Sequence, residues 1–162
     1  MLPAAQKYAT WLGVMRIVTG AFWLAHGIPK LLNPGFFGAN GMMSGMVTQM
    51  SSNGSGFYQT FLQTVVLPHA GLFSYLVAWG ETLTGVSLLL GLLTSAGGVV
   101  GVFLALNYFL MKGSLAHITS LGGLDFAAME LSFINIVLPT GLVFGLDGIW
   151  RRAPRNVPAG ET

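Results

Sequence analysis

Cysteine is absent from all 162 residues. That removes disulfide frameworks, thiolate nucleophiles, covalent sulfur chemistry on this chain, Cys-ligated iron–sulfur clusters and Cys-type zinc sites together. Charge is nearly as scarce: seven Lys or Arg and five Asp or Glu make up 7% of the chain, against about 25% in an ordinary soluble domain. A soluble domain of this length keeps a large wetted surface, and so few charges cannot cover it. Disorder is excluded as well, because disordered chains are poor in apolar residues and 53% of these are hydrophobic. The net charge of +2 includes no dense basic run; three of the basic residues, Arg151, Arg152 and Arg155, lie together near the C-terminus. A nucleic-acid partner is therefore not expected. No phosphate-binding loop, Ser-His-Asp set or zinc-protease motif is present. The composition points to an integral membrane protein.

Apolar runs of about 20 residues suffice for a helix to cross the hydrocarbon core. Four are found, at 11–32, 71–93, 96–111 and 126–146, which predicts an all-α, up-down four-helix bundle as a single domain over 1–150, with a basic tail over 151–162. The third run reaches only about 24 Å, so it is expected to continue past Lys112 or to thin the bilayer. Arg16 interrupts the first run and no small-residue cleavage site follows, so that run is read as a retained span. Lys7 before the first span and the Arg cluster after the fourth put both termini in the cytoplasm. The connection from Asn33 to Val66 then lies outside, as does that from Lys112 to Asp125. The first connection has no charged residue; one or two short helices lying in the outer interface are expected, with Phe57, Tyr58 and Phe61 at headgroup depth.

Small residues predict close helix contacts. Gly97, Gly101 and Ala105 recur every four residues in the third span, as do Gly141 and Gly145 in the fourth, while Gly13, Gly20 and Gly27 recur every seven in the first. Packing accounts for these stripes. The same holds for Met42, Met46 and Met50, whose spacing could also suit a soft metal. His26, His69 and His117 lack metal-ligand spacing, and no metal site is predicted.

Charge inside a span is costly, about 2.5–3.5 kcal/mol per residue on insertion scales, so Arg16, His26, Lys30, Glu81 and Glu130 require an account. At about 100° per residue, Arg16, His26 and Lys30 share one face of the first span. Depth pairs Glu81 with His26 or Arg16, and Glu130 with Lys30. One reading is that these are structural ion pairs. The other is a polar cavity among spans one, two and four in which Glu81 and His26 bind or relay a ligand or proton.

The first span reads RIVTGAFWLAHGIPKLLN and the second WGETLTGVSLLLGLLT; the fourth is preceded by GGLDF and followed by GLDGIW. The ordered His-Gly-x-x-Lys and Gly-Glu-x-x-x-Gly stretches, with a Gly-rich connection between them, resemble the DoxX/DoxD family of small four-helix membrane proteins over residues 10–150. DoxD is the small membrane subunit of a thiosulfate:quinone oxidoreductase, and DoxX-like proteins are associated with redox and respiratory complexes. The resemblance implies a bacterial or archaeal cytoplasmic membrane, other complex subunits or a second copy as partners, and possible contact with quinone. Arg16, His26, Lys30, Glu81 and Asp147 match the family's polar positions; Asp125 and Glu130 stand where one acidic residue is expected. Three functions compete: a quinone-linked redox subunit, with the quinone head near Glu81, His26 and Trp79 and an outward-facing basic site of Lys30, Lys112 and His117 receiving an anion; a non-catalytic accessory subunit that stabilises a larger assembly; and a small transporter. No internal inverted repeat supports the third.

Overall fold

The computed structural model describes residues 4–51, 56–114 and 123–152, and every regular element among them is helical. Helix α1 spans Ala4–Leu32, α2 Met42–Ser51, α3 Phe57–Phe61, α4 Ala70–Leu90, α5 Thr94–Met111, α6 Leu124–Val137 and α7 Leu146–Arg152. A single π turn, Leu62–Val66, continues α3, and 3-10 turns occupy Pro34–Phe36 and Thr140–Leu142. Among the described residues, three helices are long and apolar enough to cross a membrane: α1, α4 and α5. The basic tail from 153 onward and His117 lie outside the described residues, as do the side chains of Arg151 and Arg152.

The first three spans fall within a few residues of the apolar runs, except that α1 begins well before Trp11. The third does not run past Lys112. It gains length at its other end, starting at Thr94, so its 18 residues reach about 27 Å. The fourth differs more. The continuous helix expected over 126–146 ends at Val137, because proline biases the residue before it to extended backbone and Leu138 sits at φ −107°, ψ 144° ahead of Pro139. Gly141 and Gly145 therefore do not form a helical face; they lie in the irregular stretch between α6 and α7. The hydroxyl of Thr140 donates to Asn135 Oδ1 at 2.7 Å and ties that stretch back to α6. The stretch returns the chain to the end of the bundle where α1 begins, since a Cβ on Gly13 would meet Val143 at 3.1 Å.

The helices pack as two close pairs, α1 with α4 and α5 with α6, joined by a thinner α4–α5 interface. Gly20, Gly27 and Gly85 explain the first pair. A Cβ on Gly20 would lie 2.6 Å from the Leu89 nitrogen, one on Gly27 2.6 Å from the Thr82 nitrogen, and one on Gly85 2.7 Å from the Leu24 nitrogen. Backbone thus meets backbone, as small residues permit in lipid. The stripe on α5 is divided between two partners: Gly97 faces Ser87 of α4, whereas Gly101 faces Ser132 of α6. Exposed aromatic residues mark both ends, with Tyr8, Trp11 and Trp150 at one and Phe57 at the other, consistent with aromatic belts at two interfaces.

The uncharged connection forms short helices that cap the far end of α4 and α5. Phe36, Met43, Val47, Leu62, Val66 and Met111 are buried together there. Phe57 is exposed, but Tyr58 and Phe61 turn inward onto this cluster. Tyr58 donates to Asn107 Oδ1 at 2.7 Å, and burial pushes its hydroxyl up to about 12, so it remains a donor at any physiological pH.

Candidate functional site

The polar residues of the bundle gather at its two ends. At the capped end, Lys30 of α1, Glu81 of α4 and Tyr108 of α5 close a ring. The Lys30 ammonium pairs with Glu81 Oε1 and donates to Oε2 at 2.6 Å. It also donates to the Tyr108 hydroxyl at 2.8 Å, and that hydroxyl donates to Glu81 Oε1 at 2.6 Å. Glu81 is 1% exposed and the Lys30 side chain 19%. The ammonium also lies 5.2 Å from the Tyr108 ring centroid and 5.7 Å from that of Phe36, within reach for cation–π attraction.

The register of α1 on α4 explains this choice of partners. Gly27 rests on Thr82, which in this antiparallel pair puts Lys30 about half a turn beyond the level of Glu81. Helical side chains lean toward the N-terminus of their own helix, so the long Lys30 chain reaches back to the carboxylate. Tyr108, on the antiparallel α5, leans the same way. The pairings expected from depth alone are thus corrected. His26 is exposed, and its Nδ1 bonds the Phe22 carbonyl at 2.9 Å. Glu130 is also exposed, and among the described residues nothing pairs with it. Lys112 pairs instead with Asp125 Oδ2 at 2.6 Å, fastening the end of α5 to the start of α6. Trp79 is half-exposed and stands at the wall of a cavity rather than beside His26.

Arg16 occupies the other end of the bundle. It is completely buried and donates from Nη2 to the Phe144 carbonyl at 3.1 Å. The guanidinium fits because Gly91 and Gly145 carry no side chain there: a Cβ on Gly91 would fall 1.4 Å from Nη1. Asp147 supplies opposite charge nearby and accepts from Leu93 N at 2.8 Å, Thr94 N at 3.1 Å and Thr94 Oγ1 at 2.9 Å. It therefore caps α5 across the α4–α5 turn. Between the two ends, the Trp23 indole donates to Ser132 Oγ at 3.1 Å.

The ring opens onto a cavity of about 910 Å³ that runs along α4 and α5 and is roofed by α2, α3 and the π turn. Sequence reasoning missed Tyr108. Its signal was available: a phenol in an apolar span needs a hydrogen-bond partner, and Asn107-Tyr108 is a polar pair inside the third run. Chemically, an ammonium and a phenol can donate to a carbonyl oxygen by exchanging one of their bonds to the carboxylate between them. Among the described residues there is no cluster of three or more His, Asp or Glu suited to a metal ion.

Spans packed backbone to backbone, with an ion pair sealed among three of them, define a helical integral membrane protein with a buried polar centre. The chain belongs to the DoxD family, whose model, described as the TQO small subunit DoxD, matches residues 11–157. No curated protein and no solved structure matches it.

Proposed function

We propose that this chain is the quinone-interacting membrane subunit of a sulfur-oxyanion:quinone oxidoreductase, with the quinone head group held at Lys30, Glu81 and Tyr108. One observation carries the reading: Lys30 and Tyr108 line this apolar cavity, and behind them the buried Glu81 carboxylate closes their hydrogen-bonded ring. Reduction of a quinone to a quinol takes two electrons and two protons. The electrons come from a sulfur oxyanion such as thiosulfate, oxidised pairwise to a disulfane by partner subunits, in keeping with the family description. Lys30 and Tyr108 donate hydrogen bonds to a carbonyl oxygen as negative charge builds there, the kind of fixed donor arrangement that stabilises a developing oxyanion. Lys30 or Tyr108 gives one proton to the reduced head group and regains it from the aqueous phase, which also supplies the second proton of the quinol, while Glu81, within hydrogen-bond reach of both, holds the two donors in place.

The second reading, an accessory subunit that stabilises a larger assembly, is favoured by the ring itself, since each member already satisfies the others. Tyr108→Phe in the assembled complex separates the two. The variant keeps the Lys30–Glu81 pair and the ring's shape. If the quinone reading holds, the complex assembles and its quinone reduction falls by about 100–1,000-fold, the range seen when one such donor is lost. Full activity in an assembled Tyr108→Phe complex would leave the accessory role.

A further inference from the structure

We infer that the groove between α4 and α5 holds the isoprenoid tail of the quinone whose head meets the Lys30–Glu81–Tyr108 ring; the inference rests on the quinone reading above. The groove and the ring belong to one continuous cavity. Its lining residues on α5 run from Ala96 to Met111, with Leu92 and Leu93 of the preceding turn beyond them, so along the helix alone it extends about 22 Å at 1.5 Å per residue, most of the thickness of the hydrocarbon core. Its charged group is at the capped end. Toward the other end the lining is apolar apart from two hydroxyls, and one of these, on Ser87, is engaged with the Leu92 carbonyl at 2.7 Å.

The packing explains why a groove exists here. The α1–α4 and α5–α6 pairs are each drawn to backbone contact by glycine, whereas α4 and α5 touch mainly through side chains, such as Ser87 at Gly97 and Leu104 at Gly80. The lipid side of that seam stays open. Leu83, Leu93 and Phe103 form its flanks with about three-fifths of their surface exposed, and Ala96 and Val100 lie along α5 between them. The result is a largely apolar track with its charged head at one end, roofed there by Met43 and Val47 of α2 and by the Leu62–Val66 turn, and with the Thr84 hydroxyl buried without a hydrogen-bond partner partway along it. A quinone with a polyprenyl chain has the same asymmetry. A transmembrane helix of a partner, about 10 Å across, would not enter the roofed end.

The test compares binding of a tritiated tail-less quinone with that of a tritiated polyprenyl quinone, using the full chain in phosphatidylcholine nanodiscs. Wild type and Val100→Trp, which fills the track about 12 Å from Tyr108, are measured together. Val99→Trp serves as the control, since Val99 is exposed on α5 but outside the cavity. The wild type is expected to prefer the polyprenyl quinone, and Val100→Trp to lower the ratio of the two affinities at least tenfold while Val99→Trp leaves it unchanged. If the tail-less quinone binds the wild type and Tyr108→Phe weakens it, yet all three proteins share one affinity ratio, the tail lies elsewhere; the groove proposal is overturned and the quinone reading stands. The groove proposal is overturned in the same way if Val100→Trp only displaces co-purified phospholipid and leaves the ratio intact. If neither quinone binds the wild type, the quinone reading fails and takes the groove proposal with it.

Discussion

Tyr108 donates its phenolic hydrogen bond to Glu81 at 2.6 Å across the α4–α5 seam, the interface made mainly through side chains. Because the same hydroxyl accepts from Lys30 on α1, three helices meet in one ring of polar groups. Charge that would be costly in lipid is there neutralised and fully hydrogen-bonded, the condition under which a buried pair is tolerated. The ring also fixes the width of the seam at its capped end. Farther along, only side chains set the spacing, and there the cavity opens.

The ring makes the energetics of Glu81 testable. Glu81→Gln removes the counter-charge and leaves the Lys30 ammonium among apolar walls. Breaking a buried pair from one side costs about 3–5 kcal/mol, and the partial exposure of Lys30 places the loss toward the low end. Combining it with Lys30→Met removes the stranded charge and should recover most of the loss. Thermal unfolding of the four proteins in one detergent gives the coupling directly. Additive losses would mean that the two side chains act independently, contrary to the geometry.

Glycine contacts predict a graded response. Gly20→Ala and Gly27→Ala each drive a Cβ to 2.6 Å from a backbone nitrogen of α4, and backbone cannot swing aside as a side chain does. Both should lower the unfolding temperature clearly, with losses of about 1–3 kcal/mol as in overpacked cores. Gly45→Ala on α2 meets nothing within 4 Å; it should be neutral or stabilising by about 0.4–1 kcal/mol. Equal melting temperatures for Gly20→Ala and Gly45→Ala would contradict the close α1–α4 approach.

Much of this architecture was legible in the chain, for particular reasons. Spans one to three were readable because hydropathy and helix length are one-dimensional quantities. The Gly13–Gly20–Gly27 stripe announced a backbone contact because nothing else needs glycine at that spacing in a helix. The break before Pro139 was not readable: a proline removes one helix hydrogen bond, but that alone does not say that Leu138 to Gly145 abandon the helix and return as turns. Partner choice was out of reach. Lys30 and Glu81 were each singled out, yet pairing them requires the α1–α4 register and the lean of a long side chain. Depth counting sees neither, and so it selects His26 and Arg16. The groove was invisible for a similar reason, being a property of the spacing between two helices.

The charge at the chain ends predicts an orientation. Gly13 of α1 approaches Val143, so both ends of the described chain lie on one side of the bundle. Lys7, Arg151, Arg152 and Arg155 make that side cytoplasmic by the positive-inside rule. A reporter fused after Thr162 and one inserted between Ser52 and Ser55 should therefore read opposite sides of the membrane, the first cytoplasmic. The same reading from both would require that α6 and the turns after it fail to cross.

Asp147 serves two purposes that substitution can separate. Its oxygens accept from the backbone nitrogens of Leu93 and Thr94 and from the Thr94 hydroxyl, so it is the side-chain cap of α5 although it lies more than 50 residues away. This matters because Leu93 sits at φ 52°, a left-handed backbone that costs a non-glycine residue about 1–2 kcal/mol and needs outside support. Asp147 also faces the fully buried Arg16 with opposite charge. Asp147→Asn keeps an oxygen for capping and removes the charge; Asp147→Ala removes both. A cap alone is worth about 0.5–2 kcal/mol, whereas a buried cation left without its counter-charge costs more. If the charge opposite Arg16 dominates, the two variants should be destabilised almost equally, and Arg16→Met should rescue either. If capping dominates, Asp147→Asn should stay near wild type, and Leu93→Gly should restore part of what Asp147→Ala loses by relieving the strained turn. The buried guanidinium favours the first pattern. Wild-type melting temperatures for both variants would show that neither the α5 cap nor the charge opposite Arg16 holds this end of the bundle together.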